Sequence, residues 1–86
     1  MPQVELLGLA QRYAGCSKLE TTGSTLERVL CDVSAQCPEF ATRCRPGELL
    51  PPGLIVCVNE RRFTNDPSLP ISPNDRVLIL SSDVGG

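Results

Sequence analysis

The chain closes with "VLILSSDVGG", an apolar run followed by three polar residues, a valine and two glycines. The group there with chemistry to offer is the α-carboxylate of Gly86. Such a carboxylate has a pKa of about 3.5, is ionised at neutral pH and is a poor electrophile. It reacts only after activation, for example as an acyl-adenylate. An enzyme that performs this must thread the chain end to the α-phosphate of ATP through a narrow channel. Glycine suits that passage, because it has no Cβ and tolerates positive φ. A side chain at Gly85 or Gly86 would clash with the channel wall. Nothing else in the sequence supplies the activation, since it has neither a phosphate-binding glycine loop nor an acid–base pair. The chain therefore reads as a substrate or carrier for other enzymes.

The other reactive side chains are five cysteines: Cys16, Cys31, Cys37, Cys44 and Cys57. There is no histidine to act as base for a thiolate nucleophile, and no C-x-x-C pair suggests a zinc site. No metal site is expected. In a reducing compartment free thiols behave as small apolar side chains. Cys31 and Cys57 sit inside apolar patterns and are expected to be buried. Cys16 and Cys44 lie in loop-like sequence, where a thiol can be exposed.

A length of 86 residues sets the scale at one domain with a thin core. Hydrophobic residues make up 41% of the chain, enough for a globule, but with two Phe, one Tyr and no Trp the core must be aliphatic. Few aromatics and a net charge of −2 argue against nucleic-acid binding. Arg61 and Arg62 form the sole basic doublet, read either as a solvated strand position or as a contact to an acidic partner. No apolar run approaches the length of a membrane span, and residues 1–10 lack a signal-peptide pattern, so the expected location is the cytoplasm.

The elements that would position the tail follow from hydrophobic patterning. "QVELLGLA", residues 3–10, is apolar on both alternations and is expected to be a central strand. "RYAGCS" turns the chain into "KLETT", a more polar strand nearer an edge. Ser24 and Glu27 have capping-box spacing and are expected to open a helix. Its apolar stripe is Leu26, Val29, Leu30, Val33 and Cys37, with Arg28, Asp32 and Gln36 opposite. Pro38 ends it and can occupy the first position of a short second helix, "PEFATRC". Residues 46–53 form a loop rich in Pro and Gly. "LIVCV", residues 54–58, is a buried strand, and "NE" is a hairpin turn into a short edge strand, "RRFT". "SPND" is a type I turn that leads into a central last strand, "RVLIL". The simplest sheet sets the first and last strands side by side in the middle, packed on the capped helix.

This order of elements, with "QVELLGLAQ", "STLERVL", "VCVNERRF", "NDRVLIL" and the terminal "GG", resembles the ThiS/MoaD family of ubiquitin-like sulfur carriers over essentially the whole chain. The length is closer to the molybdopterin-synthase small-subunit branch. The resemblance implies an α+β, ubiquitin-like β-grasp fold: a mixed sheet of four to five strands on one main helix over residues 1–80. A flexible Gly-Gly tail, residues 81–86, would follow. It implies that an E1-like enzyme adenylates Gly86 with ATP. Sulfur from a cysteine desulfurase or rhodanese-type donor then leaves a C-terminal thiocarboxylate for a biosynthetic acceptor enzyme, with no permanently bound cofactor. Gly86 would carry the reactive group and Gly85 give clearance. Ser81, Ser82, Asp83 and Val84 would line the partner channel.

Arg62 falls where the family resemblance leads one to expect an apolar partner-facing residue, and Ser81 to Asp83 are more polar than that branch usually shows. Strand alternation puts Leu78 and Leu80 on one face and Val77 and Ile79 on the other. Whichever pair faces away from the helix, with Leu7 or Leu9, is the candidate partner surface. Two other readings are a ubiquitin-related modifier conjugated through Gly86 and a β-grasp interaction module without chemistry of its own.

Overall fold

The computed structural model describes residues 1–82. The elements run in the order β1 (Gln3–Leu6), α1 (Leu9–Ala14), β2 (Lys18–Glu20), α2 (Leu26–Gln36), α3 (Pro38–Thr42), β3 (Leu54–Val58), β4 (Arg62–Thr64) and β5 (Arg76–Ser81). The five strands form one sheet in the order β2-β1-β5-β3-β4. β1 and β5 are parallel neighbours at its centre, and the other pairs are antiparallel. The first and last strands therefore meet in the middle, as the apolar pattern requires.

One face of this sheet carries the core. Val4 and Leu6 of β1, Val56 of β3 and Val77 and Ile79 of β5 are fully buried there. They pack with Leu26, Val29, Leu30 and Val33 of α2, and Phe40 of α3 and Ile71 complete the cluster. Each such aliphatic side chain contributes about 1.5–3 kcal/mol on burial. In a chain this small, the α2 stripe and three central strands supply most of the apolar driving force.

Three local expectations are corrected. The first strand stops at Leu6, because Gly8 takes φ 56° and turns the chain. Residues 9–14 then form α1, whose Ala10 is buried and whose Leu9, Tyr13 and Ala14 pack on the core. That i, i+1, i+4, i+5 spacing is helical. Arg43 stacks over the Tyr13 ring at 4.6 Å and ties this helix to the end of α3.

The N-cap of α2 is Thr25, not Ser24. Its hydroxyl accepts from the Arg28 N–H at 3.3 Å. The preceding segment is zipped to residues 69–71, with Leu26 N–H donating to the Leu69 carbonyl and Ile71 N–H to the Ser24 carbonyl, both at 2.9 Å. This pairing holds Thr25 extended at φ −134° and leaves Ser24 outside the helix. The third correction is Cys31, which is exposed. It falls between the buried positions 30 and 33 of the stripe, on the solvent side of α2.

The other turns follow their sequence signals. Asn59 and Glu60 both take positive φ (55° and 59°), and the Arg61 N–H closes onto the Val58 carbonyl at 3.1 Å. Positive φ at both central residues is the mark of a primed turn, and the register, with Val58 opposite Arg62, leaves Asn59, Glu60 and Arg61 in the loop. The Asp75 N–H closes the "SPND" turn onto the Ser72 carbonyl at 3.0 Å. Pro38 opens α3.

Candidate functional site

The second face of the sheet bears none of the helices' apolar stripe, and it leads directly into the tail. Alternation along β5 sends Val77 and Ile79 to the core and Leu78 and Leu80 to this open face. In register, Leu78 lies between Glu5 of β1 and Cys57 of β3, and Leu80 lies beside Ile55. Cys57 in turn faces Phe63 of β4. The result is a compact apolar patch of Ile55, Cys57, Phe63, Leu78 and Leu80, with exposed Leu7 continuing the β1 alternation at its margin.

Charges rim the patch at the opposite end from the tail. The Arg76 guanidinium lies 2.6 Å from the Glu5 carboxylate and 3.8 Å from that of Glu60. Asn59 links the β3–β4 turn to β5: its side-chain Nδ2 donates to the Asp75 carboxylate at 3.0 Å, and its side-chain Oδ1 accepts from the Arg76 N–H at 2.9 Å. That amide, followed by the Ser72 N–H, holds the Asp75 carboxyl below its usual pKa. The rim is thus ordered by hydrogen bonds within the fold; within the apolar patch Cys57 and Leu78 are buried, Ile55 and Leu80 are half-buried, and Phe63 is exposed.

The expected site residues separate into groups. Leu80 is half-buried on the open face, and Ser81 ends β5 opposite Leu54. Ser82 is exposed, and its N–H and hydroxyl both donate to the Gly53 carbonyl, at 2.8 and 3.0 Å. Arg62 pairs with Val58, which places it on the other face of the sheet from Leu80. Its charge is felt by Asp66, whose carboxyl is lowered first by Ser68 and then by Arg62. Leu9 belongs to α1 and packs on the core, leaving Leu7 as the exposed leucine of that pair. Asp83, Val84, Gly85 and Gly86 lie outside the described residues.

The sequence reading does not place Phe63, Ile55 or Cys57 on the partner surface. The signal was present: "LIVCV" is apolar at every position, so Leu54, Val56 and Val58 facing the helix leave Ile55 and Cys57 facing outward.

The thiols fall into distinct surroundings. Cys57 is buried within the open-face patch. Cys37 is buried beside half-buried Cys16, and desolvation, followed by that neighbour, raises its pKa. Cys44 is half-buried and its thiol donates to the Phe40 carbonyl at 3.6 Å. Burial, followed by the Glu48 charge, raises it too. Among the described residues no group of three or more His, Cys, Asp or Glu is placed to hold a metal ion, and no helix is long and apolar enough to cross a membrane.

No protein-family model and no curated protein sequence matches the chain. Solved structures do. Small archaeal modifier protein 1 of Methanosarcina acetivorans matches with a TM-score of 0.79 at 18% identity, over 99% of this chain and 95% of that one. A chain of the Amycolatopsis orientalis BexX/CysO complex matches with a TM-score of 0.78 at 20% identity, over 100% of both. The chain has a ubiquitin-like β-grasp fold. Mycobacterium tuberculosis CysO shares this β-grasp fold with a TM-score of 0.72 at 22% identity, over 94% of this chain and 98% of that one. The α+β architecture expected from the element order, with its mixed sheet on one main helix, is thereby established. Among the described residues the sheet has five strands, and two short helices accompany α2.

Proposed function

We propose that this β-grasp protein is a sulfur carrier whose Gly86, when it bears a free carboxylate, is activated by an E1-like enzyme. Adenylation joins the carboxylate to the α-phosphate of ATP and releases pyrophosphate. A sulfur nucleophile then attacks the acyl carbon. The C–S bond forms, the C–O bond to AMP breaks, and the acyl carbon keeps its oxidation state. Hydrosulfide gives the thiocarboxylate directly. A persulfide from a cysteine desulfurase or rhodanese-type donor gives an acyl disulfide, from which a second thiol releases the thiocarboxylate. The thiocarboxylate passes sulfur to a biosynthetic acceptor enzyme.

The observation that carries this reading is the continuity of β5 with the tail. A single strand presents Leu78 and Leu80 on an open apolar face and ends at Ser81, five residues before Gly86. An enzyme that grips this face therefore receives the chain end in a defined direction. The structural likeness to CysO, one example of which is solved in complex with BexX, supports a carrier that works through protein partners.

The test is mass spectrometry of the C-terminal tryptic peptide, residues 77–86, after incubation with ATP, sulfide and an E1-like enzyme. That peptide contains no cysteine, so the five thiols cannot imitate the result. A mass gain equal to exchanging one oxygen for sulfur is the expected outcome. A branched peptide joined to a target lysine would instead assign the chain as a modifier. An unchanged peptide on protein taken from the native host would leave only an interaction module.

A further inference from the structure

The base of the tail is held by a built feature outside the sheet. The segment Pro51-Pro52-Gly53-Leu54 is a tight turn, with the Leu54 N–H donating to the Pro51 carbonyl at 3.3 Å and Gly53 at φ 84°. Proline at the second position and a positive-φ residue at the third are the marks of a type II turn. An L side chain at Gly53 would be strained by that φ, although an added Cβ would meet no atom within 4 Å. The turn aims the Gly53 carbonyl at Ser82, which donates to it twice, from its backbone N–H at 2.8 Å and its hydroxyl at 3.0 Å. The β3–β5 ladder pairs Leu54 with Ser81, so this contact extends the ladder by one step beyond the strand.

We propose that Ser82 and Gly53 form a clamp that sets the point where the tail begins, and that Ser82 is a positioning residue for activation of Gly86. The inference rests on the sulfur-carrier reading and deepens it. Gly86 lies four residues beyond the clamp. At 3.3–3.6 Å per residue it reaches at most roughly 14 Å. The reaction centre of the activating enzyme must therefore come within about that distance of the Pro51–Gly53 turn. The turn thus lies beside the docking interface, next to Leu80 and Ile55, although it belongs to neither face of the sheet. Releasing Ser82 would add another residue whose backbone must be ordered each time the tail is taken up. The penalty falls on productive binding, not on the chemical step.

Two measurements test this. The first is amide hydrogen exchange followed by NMR on the free protein. The Ser82 N–H is expected to be protected, and in Gly53→Ala that protection is expected to fall severalfold while the amides of Val56 and Ile79 keep theirs, which controls for folding. A Ser82 amide that exchanges at the rate of an unstructured peptide in the wild-type protein overturns the clamp. The second is pyrophosphate exchange with the E1-like enzyme of the native host. Ser82→Ala is expected to raise KM roughly three- to tenfold with kcat little changed, the range of one lost hydrogen bond, and Ser82→Thr is expected to restore it. A protected Ser82 amide with unchanged KM in both Ser82→Ala and Gly53→Ala overturns the positioning role. A wild-type chain that this enzyme never adenylates overturns the sulfur-carrier reading, and the positioning role with it; the exchange measurement decides the clamp in either case.

Discussion

Phe63 is the register partner of Cys57, and the two side chains share the open face of the sheet, Phe63 65% exposed and Cys57 only 5%. A large aromatic left so open contributes little to the fold, yet it borders the patch formed by Leu78, Leu80 and Ile55. Aromatic side chains at the centre of an interface often carry a large share of binding energy. Phe63→Ala is expected to change unfolding free energy by no more than about 0.5 kcal/mol. The same substitution is expected to raise KM for activation about tenfold. Arg62→Ala, on the opposite face, should change KM less. Urea unfolding and pyrophosphate exchange on the two variants check both statements.

The hairpin that presents Phe63 contains a local conflict. Glu60 sits at φ 59°, a conformation that costs an L-residue about 1–2 kcal/mol relative to glycine, which pays no such penalty. Its carboxylate lies 3.8 Å from the Arg76 guanidinium, and both side chains are exposed, so that attraction is weak. Asn-Gly is the favoured pair for this turn. Glu60→Gly is therefore expected to stabilise the protein by about 0.5–1 kcal/mol, once the added freedom of glycine in the unfolded chain is offset. A higher urea midpoint with an unchanged slope is the expected signature; a lower midpoint would mean that the Arg76 contact outweighs the strain.

The start of α2 separates two adjacent hydroxyls by role. Thr25 accepts from the Arg28 N–H, while the Ser24 backbone carbonyl, not its side chain, accepts from Ile71. Thr25→Ala is expected to cost about 1 kcal/mol, the usual loss for an N-cap. Ser24→Ala should cost only a few tenths, since the carbonyl survives the substitution. Thermal or urea unfolding of the two variants distinguishes them, and equal losses would restore the capping box at Ser24.

This contrast shows what the sequence makes legible. The order of the five strands around α2, the central pairing of β1 with β5, the α2 stripe and the "NE" turn follow from periodicity and local turn chemistry; α1 does not. Nor does the cap at Thr25. It depends on residues 69–71, far along the chain, pairing with residues 24–26 and shifting the helix start. Residues 9–10 read as strand because Leu9 and Ala10 continue an apolar run, and only the turn at Gly8 breaks it. The Ser82–Gly53 contact joins a polar tail to a loop, and neither segment has a periodicity that announces the other. Phe63 was hidden for a related reason. In a three-residue edge strand, alternation alone cannot say whether Arg62 or Phe63 faces outward until the register with β3 is known.

Asp75 gives the fold a specific response to acid. Its carboxylate accepts from the Asn59 amide at 3.0 Å and from the Ser72 N–H at 2.8 Å, and both bonds favour the charged form. The folded pKa therefore lies below the unfolded one. Stability from this group is complete above the unfolded value, about 3.9, and is lost as pH falls through the lower folded value. The group is exposed, so the effect is modest, but it acts where the β3–β4 turn is tied to the start of β5. The urea midpoint of the wild-type protein is expected to decline below about pH 4. Asp75→Asn keeps an acceptor for the Asn59 amide but lacks the charge. It should be less stable than wild type at pH 7, with the gap closing toward pH 2. Asp66, lowered by Ser68, leaves both proteins a residual acid dependence. A gap that stays constant from pH 7 to pH 2 would mean that Asp75 acts through its geometry alone and not through its charge.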